Sequence, residues 1–388
     1  MAFLRSDPEA VSALDGAALA LRPFYAGALV RVEGGWHRVA DPLRHPVDAL
    51  ASLLPDNAVG SAVDKLRVGA LRLLSLLSSP YAFLTAPETT ALLRLRNFGF
   101  SEAMLDRFWR PFLGGITFDR ELNVSDRLLT FIMRSLATGQ NCLPAQGIGA
   151  VSQQLAASLP PSSILLRTRV ERLHIGSGGA ASTLHVVGGG LITARRAVVL
   201  AVEGPEAARL LAGTGHEASA PSDPRPPVGT VCVYFAAPKA PREEPILYLN
   251  GTGTGLVNNA CVPSAVSPSY APPGQALISA SLLSVPAAGS ALDPRTAAGG
   301  VALAEAVRGE LGGWFGAEEV STWRHLKTYA VPFAQPPQTP PTVLERPVQL
   351  SAELFVCGDH REAATLDGAL RSGRRAAEAL LRQMQAGK

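Results

Sequence analysis

Near the C-terminus, Gly358 and Asp359 stand directly after the apolar run Leu354-Phe355-Val356-Cys357. A run of this kind predicts a short, fully buried strand, and the Gly-Asp pair ends it abruptly. A helical pattern then starts at Gly368. At about 100° per residue, Gly368, Ala369, Ser372, Gly373, Ala376 and Leu380 share one side, while Arg371, Arg374, Arg375, Glu378 and Arg382 share the other. A small-residue face lets a helix N-terminus approach something flat and bulky, and the amides there favour an electron-rich or anionic group. Tight packing of helix on sheet produces the same pattern. The pattern by itself leaves both readings open.

Two Gly-rich stretches are the other candidates for a ligand loop. Residues Gly176 to Ala181 satisfy a loose G-x-G-x-x-A, and Gly251 to Gly255 come close. A dinucleotide loop sits between a strand and a helix, whereas both of these have strand-like sequence on either side and are read as hairpin turns. The four cysteines, Cys142, Cys232, Cys261 and Cys357, show neither paired spacing nor a neighbouring His motif. No metal site and no disulfide framework is expected, and a reducing compartment fits best.

The elements that must position these residues follow from the patterning. Pro8 to Leu14 reads as a helix. Ala28–Val32 and Trp36–Val39 flank Glu33-Gly34-Gly35, a hairpin signal. Helical sequence runs from Val47 to Leu54 and again from Ser61 to Leu84, where Asp64, Lys65, Arg67, Arg72 and Pro80 argue against a membrane span. That second segment is read as a core or lid helix, or as a lid that dips into a membrane surface to collect a lipid-soluble substrate. Residues 88 to 138 are mostly helical, with Ser101 as an N-cap and Met104, Leu105, Phe108, Trp109 and Phe112 at helical spacing. Strands are expected at Ser163–Leu166, Arg169–Leu173 and Ala197–Val202, the last of them buried and parallel. The stretch 213–227, rich in Gly, Pro and Ser, marks an internal boundary. Short β runs at 231–236, 246–249, 256–262 and 276–283 suggest an antiparallel sheet, followed by a helix over Pro294–Trp314.

Thr365-Leu366-Asp367-Gly368-Ala369-Leu370-Arg371-Ser372-Gly373-Arg374-Arg375-Ala376-Ala377, with the strand and Gly-Asp before it, resembles the C-terminal FAD signature of the flavin-containing amine oxidase superfamily. Pro111 to Ile116 with Asp119 to Leu122, Leu143 to Ala150, Tyr270 to Gly274 and Trp323 to Pro332 sharpen the resemblance. They are similar to segments of the carotenoid (phytoene) desaturase-like and protoporphyrinogen oxidase-like FAD oxidoreductases of plants, algae and cyanobacteria.

The resemblance implies an α/β fold in which a Rossmann-like FAD/NAD(P)-binding domain is interleaved with a helical and antiparallel-sheet substrate domain. Its expected boundaries are 1–27, 141–212 and 331–388 for the FAD domain and 28–140 and 213–330 for the substrate domain. It implies FAD as cofactor. Val170 would lie at the adenine end, Asp359 at the ribitol or pyrophosphate end, and the backbone amides of Gly368 and Ala369 at the helix start near the pyrimidine ring, with Gly358 and Asp367 as further cofactor-binding residues. His325 and His360 alone among the seven histidines lie in matching segments, and Lys327 is a candidate neighbour of the flavin. In such a family the cofactor takes a hydride while the protein positions it and excludes water.

A dinucleotide fold opens with strand, G-x-G-x-x-G turn and helix, and no such unit precedes residue 28. The expectation is a chain lacking that first βαβ element, which holds FAD weakly or not at all when expressed alone. The expected substrate is apolar, isoprenoid-like or polycyclic. True amine oxidation, or a non-catalytic remnant that binds a lipid, carotenoid or partner protein, are the alternatives. With 388 residues, 47% hydrophobic and 17% charged, the chain is long enough and apolar enough for a sizeable core. A net charge of +3 is not that of a nucleic-acid binder. The N-terminus shows no targeting pattern. By resemblance a plastid location is expected, with the cytoplasm as the alternative.

Overall fold

The computed structural model describes residues 3–4, 7–54, 57–77, 79, 87–176, 181–217 and 228–386. In chain order its elements begin with β1 (Phe3–Leu4), α1 (Pro8–Ala13), β2 (Arg22–Pro23), β3 (Gly27–Val32), β4 (Gly35–Ala40), α2 (Pro46–Ala51) and α3 (Ala62–Leu77). Next come α4 (Ala91–Asn97), α5 (Glu102–Met104), a π turn (Leu105–Trp109), α6 (Arg110–Thr117), α7 (Asp126–Thr138), β5 (Asn141–Leu143) and α8 (Gly149–Ala157). Then follow β6 (Val170–His174), β7 (Ser182–Val186), β8 (Gly190–Ala194), β9 (Val198–Leu200), α9 (Gly204–Leu211), β10 (Val228–Ala237), β11 (Leu247–Asn250), β12 (Asn259–Cys261) and α10 (Pro263–Val266). The chain ends with β13 (Ala276–Leu282), α11 (Ala297–Phe315), α12 (Ala317–Ser321), β14 (Arg324–Gln335), β15 (Leu354–Val356) and α13 (Leu366–Ala386). The chain forms two compact units, one of residues 1–6, 15–151 and 227–341, the other of 7–14, 152–226 and 342–388.

The larger unit is built on a seven-stranded sheet of order β14-β10-β13-β12-β11-β3-β4. Alternation explains it. Val231, Val233, Phe235 and Ala237 of β10 and Ala276, Ile278, Ala280 and Leu282 of β13 are buried on one face, against Leu303, Ala304, Val307 and Leu311 of α11. The hairpin β3–β4 turns on Glu33 and Gly34, both at positive φ (52° and 81°), as a tight two-residue loop requires. It joins the sheet through a parallel pairing of β3 with β11, an exception to the antiparallel sheet expected. The Gly-rich stretch 251–255 is indeed a turn between the antiparallel β11 and β12. The other Gly-rich stretch lies between β6 and β7, with residues 177–180 outside those described.

In the smaller unit, β9 and β15 pair in parallel, and β6, β7 and β8 form an antiparallel sheet. Leu354, Phe355 and Val356 are all fully buried, as a continuous apolar strand demands, and two of them pack with Val198, Leu200, Ala207, Leu210 and Leu211. The strand expected at Ser163–Leu166 does not form. Ser162 and Arg167 at its two ends take positive φ (67° and 57°), and Leu165 and Leu166 are exposed, so nothing there is buried to hold an extended run.

Helix α3 is turned inside out. Val63, Leu66, Leu73, Leu74 and Leu77 lie along one stripe, each more than half exposed, while Asp64, Arg72 and Ser75 are buried. Arg72 bonds the Asp41 carboxylate and the Ala137 carbonyl. Asp64 is the anchor. Its carboxylate accepts the amide and hydroxyl of Ser61 (2.9 and 2.7 Å) and those of Ser101 (2.8 and 2.7 Å). Burial pushes its carboxyl up, but the hydrogen bonds from Ser101 and Ser61 outweigh this and hold it below the usual range. Asp64→Ala strands four donors and is expected to cost about 3 kcal/mol, read as a lowered urea midpoint. Because the folded value is depressed, this contribution is full above the ordinary carboxylate pKa and fades as pH falls through the folded one.

Candidate functional site

In the smaller unit, the chemistry-bearing groups collect where β15 ends and α13 begins. Gly358 takes φ +143°, and a Cβ there would lie 2.7 Å from the His360 ring. The Ser372 hydroxyl lies 2.9 Å from both the amide and the carbonyl of Gly358, so α13 holds the turn through one side chain. Asp359 follows, its side chain about a third exposed and its carboxyl pushed up by burial. His360 is 95% buried, and neither ring nitrogen has a hydrogen-bond partner among the described residues. Burial, with the charges of Arg361 and Arg346, pushes its pKa down to about 4, so the ring is neutral at pH 7.

The helix start behaves differently from a bare row of amides. Thr365 caps α13: its hydroxyl accepts the Gly368 amide (3.0 Å) and its carbonyl the Ala369 amide (3.0 Å). The amides of Leu366 and Asp367 remain without a partner among the described residues. The Asp367 carboxylate is buried and accepts the Glu9 and Ala10 amides (2.7 and 3.4 Å), capping α1. On the small-residue side of α13, Gly368, Ser372 and Ala376 are packed, whereas Ala369 and Gly373 are half-buried. A Cβ on Gly368 would sit 2.0 Å from the Ala363 carbonyl oxygen, and Ala376 is fully buried against Val348 and Cys357. On the charged side, Glu362, buried, accepts from Arg371 (2.6 Å) and Arg375, and Glu345 pairs with Arg371 (2.7 Å). Val170 opens β6, and its carbonyl accepts from Arg209 (3.2 Å).

In the larger unit, the motif segments have mutual reasons. Gly114 and Gly115 let α6 lie against Arg120 and Asn259, whose atoms would stand 3.2 and 2.9 Å from added Cβ atoms, and Asn258 donates to the Pro111 carbonyl. The Tyr270 hydroxyl donates to the Pro144 carbonyl at 3.0 Å, joining two segments read separately in the sequence. Phe108 and Trp109 are buried core. His325 bonds the Thr328 hydroxyl at 2.9 Å and lies beside Phe235.

The sheet face away from α11 carries a pocket of about 460 Å³ lined by Tyr234, Leu277, Leu326, Lys327 and Tyr329. A β-bulge creates it. Tyr234 pairs with Lys327 but Phe235 with His325, leaving Leu326 as the extra residue. Consecutive strand residues normally point apart, yet Leu326 and Lys327 both reach this pocket. Tyr234 and Tyr329 meet edge to face at 5.8 Å. No sequence pattern announced the bulge. The Thr365 cap, by contrast, was findable as a Thr directly before a helical run.

A family model described as flavin containing amine oxidoreductase matches residues 12–381. The chain belongs to that family. By class it is an FAD-dependent oxidoreductase, and the fold agrees with solved relatives. A candidate protoporphyrinogen oxidase from Exiguobacterium sp. 255-15 superposes with a TM-score of 0.68 at 14% identity, covering 99% of this chain and 86% of the other. An oxidoreductase from Methanosarcina mazei gives 0.65 at 15%, covering 92% and 81%. Putrescine oxidase bound to putrescine gives 0.58 at 13%, covering 98% and 87%. No curated protein matches the chain by sequence.

The smaller unit's residues fit the family's cofactor. A buried imidazole and two helix-start amides, all without a partner among the described residues, with a carboxylate beside them, are what a polar, partly anionic group would satisfy. Gly368→Ala, which drives a methyl into a carbonyl, is expected to cost about 2–4 kcal/mol in thermal or urea unfolding. Gly373→Ala, with nothing within 4 Å of its Cβ, should instead stabilise by about 0.5–1 kcal/mol.

Proposed function

We propose that this protein withdraws a hydride from an apolar, isoprenoid-like or polycyclic substrate collected at a membrane surface. Bound FAD supplies the hydride-accepting chemistry. The protein's own part is positional: Gly358 and Asp359 bind at the end of β15, the amides at the start of α13 favour negative charge, and the neutral His360 ring offers a hydrogen bond from the buried side. The segments at Arg110 and Leu143 support a place beside the carotenoid-desaturase-like branch, with the sheet of the larger unit as floor of the substrate site. These contacts by themselves hold FAD weakly. Titrating FAD into the purified chain should quench flavin fluorescence saturably, and Asp359→Ala should weaken binding by at least about fivefold. Absent quenching, or an unchanged affinity in the variant, would contradict the assignment.

The observation that carries the membrane reading is α3. Among the described residues no helix is long and apolar enough to cross a bilayer. A 16-residue helix that buries Asp64 and Arg72, keeps Lys65 and Arg67 half-buried and presents five large aliphatic side chains to the outside is instead suited to lie in an interface. Vesicles of phosphatidylcholine and phosphatidylglycerol should carry the protein upward in a flotation gradient. The combined change Leu66→Ser, Leu73→Ser and Leu77→Ser should reduce partitioning at least about tenfold. Wild-type protein left at the bottom of the gradient at low salt sinks the reading.

A further inference from the structure

We propose that the pocket on the sheet of the larger unit selects an amphiphilic anion, seating a carboxylate on Lys327 and Arg324 and its apolar body against Tyr234, Tyr329, Leu277 and Leu326. This rests on the reading that this sheet floors the substrate site, and it names the class of substrate. It also separates this protein from oxidation of cationic amines.

The argument starts from the bulge. Arg324 pairs in register with Ala236, and Lys327 with Tyr234. Ala236 and Tyr234 share the face opposite the buried Val233 and Phe235, so Arg324 and Lys327 share that face too. Three residues apart, they would fall on opposite faces of a regular strand; the extra Leu326 brings them to one. Both are exposed, and neither makes an ion pair among the described residues.

Among the described residues, those that share this face hold no negative charge to answer them. The pocket lining contains no acidic residue. Across the same face, β10 presents Cys232 and Tyr234, β13 Leu277, Ser279 and Ser281, and β12 Asn259 and Cys261. Burial raises the Tyr234 hydroxyl and pushes the Cys261 thiol up to about 11, so both stay neutral near pH 7. A cationic amine would meet two like charges there, whereas a carboxylate would meet two unpaired donors.

The apolar part is equally specific. Tyr329 is 51% and Leu326 41% exposed, a large amount of apolar surface for the face of a sheet, and the 460 Å³ volume suits a multi-ring or long-chain body. β14 is also an edge strand, where a lysine can serve simply to deter pairing with another chain. That role predicts no ligand preference.

Pyrenebutyrate, its methyl ester and pyrenebutyl-trimethylammonium share one apolar body and differ in charge, so fluorescence titration with the three tests the proposal directly. At low ionic strength the acid should bind about fivefold more tightly than the ester, and the ammonium more weakly than either, with the difference shrinking as salt is added. Lys327→Met with Arg324→Gln should erase the acid's advantage and leave ester binding unchanged. Lys327→Glu with Arg324→Gln should turn the preference toward the ammonium, and circular dichroism on each variant verifies the fold. Equal binding of acid and ester by the wild type, or an advantage that survives the double substitution, overturns the proposal. FAD titration on the same preparations keeps the two readings apart. Anion selectivity without flavin binding defeats the flavin assignment alone, and flavin binding without anion selectivity defeats this one alone.

Discussion

The single hydroxyl of Ser372 meets both the amide and the carbonyl of Gly358, and the arrangement of the smaller unit around β15 depends on that contact. It fixes where the strand stops, because a turn held at both polar groups has no freedom to extend the ladder. It also fixes how close α13 comes. A helix bonding the backbone of a turn from its own side chain sits at van der Waals distance, and every residue facing the turn must then be small. Gly368, Ser372 and Ala376, one helical turn apart, are the consequence. His360 fills the space a side chain on Gly358 would occupy, which buries an imidazole with no partner for either nitrogen among the described residues. Native interiors rarely tolerate such a group without a compensating role.

The larger unit uses the same economy of space differently. Gly114 and Gly115 remove side chains where α6 meets the Arg120 backbone and the side chains of the Asn258–Asn259 pair, so the helix backbone comes close to both. On the other face of that sheet, one inserted residue in β14 breaks the alternation that would otherwise separate Leu326 from Lys327. A regular sheet has one buried face and one mixed face. The bulge gives this mixed face a cationic rim and an aromatic floor. Helix α3, with Asp64 and Arg72 turned inward onto Ser61, Ser101, Asp41 and Ala137, buries those two charges only because their polar partners are already in place.

Much of this was legible in the sequence. Periodicity of two located β10 and β13, and Glu33-Gly34-Gly35 located a hairpin, which turns on positive φ at Glu33 and Gly34. The Ser101 cap was readable because a hydroxyl before a helical run has a local partner, the Met104 amide. Local rules failed where partners were distant. Ser163 to Leu166 has the composition of a strand but no neighbouring strand to bury it, and the parallel joining of β3 to β11 links residues more than two hundred positions apart.

Around the Gly358–Asp359 turn, the amino-acid sequence by itself determined a buried strand, its abrupt end and a helix with one small face and one charged face, because each is written in short-range spacing. Which groups of that small face are already used in packing was decided only by tertiary structure. The Gly368 and Ala369 amides are taken by Thr365, the Asp367 carboxylate is taken by α1 some 358 residues away, and Gly368 lies against Ala363. A hydrogen-bonding group can satisfy only as many partners as it has sites, and which partner reaches it first is a property of the folded chain. What folding left unsatisfied among the described residues, the His360 ring and the first two amides of α13, is therefore a smaller set than the sequence suggested.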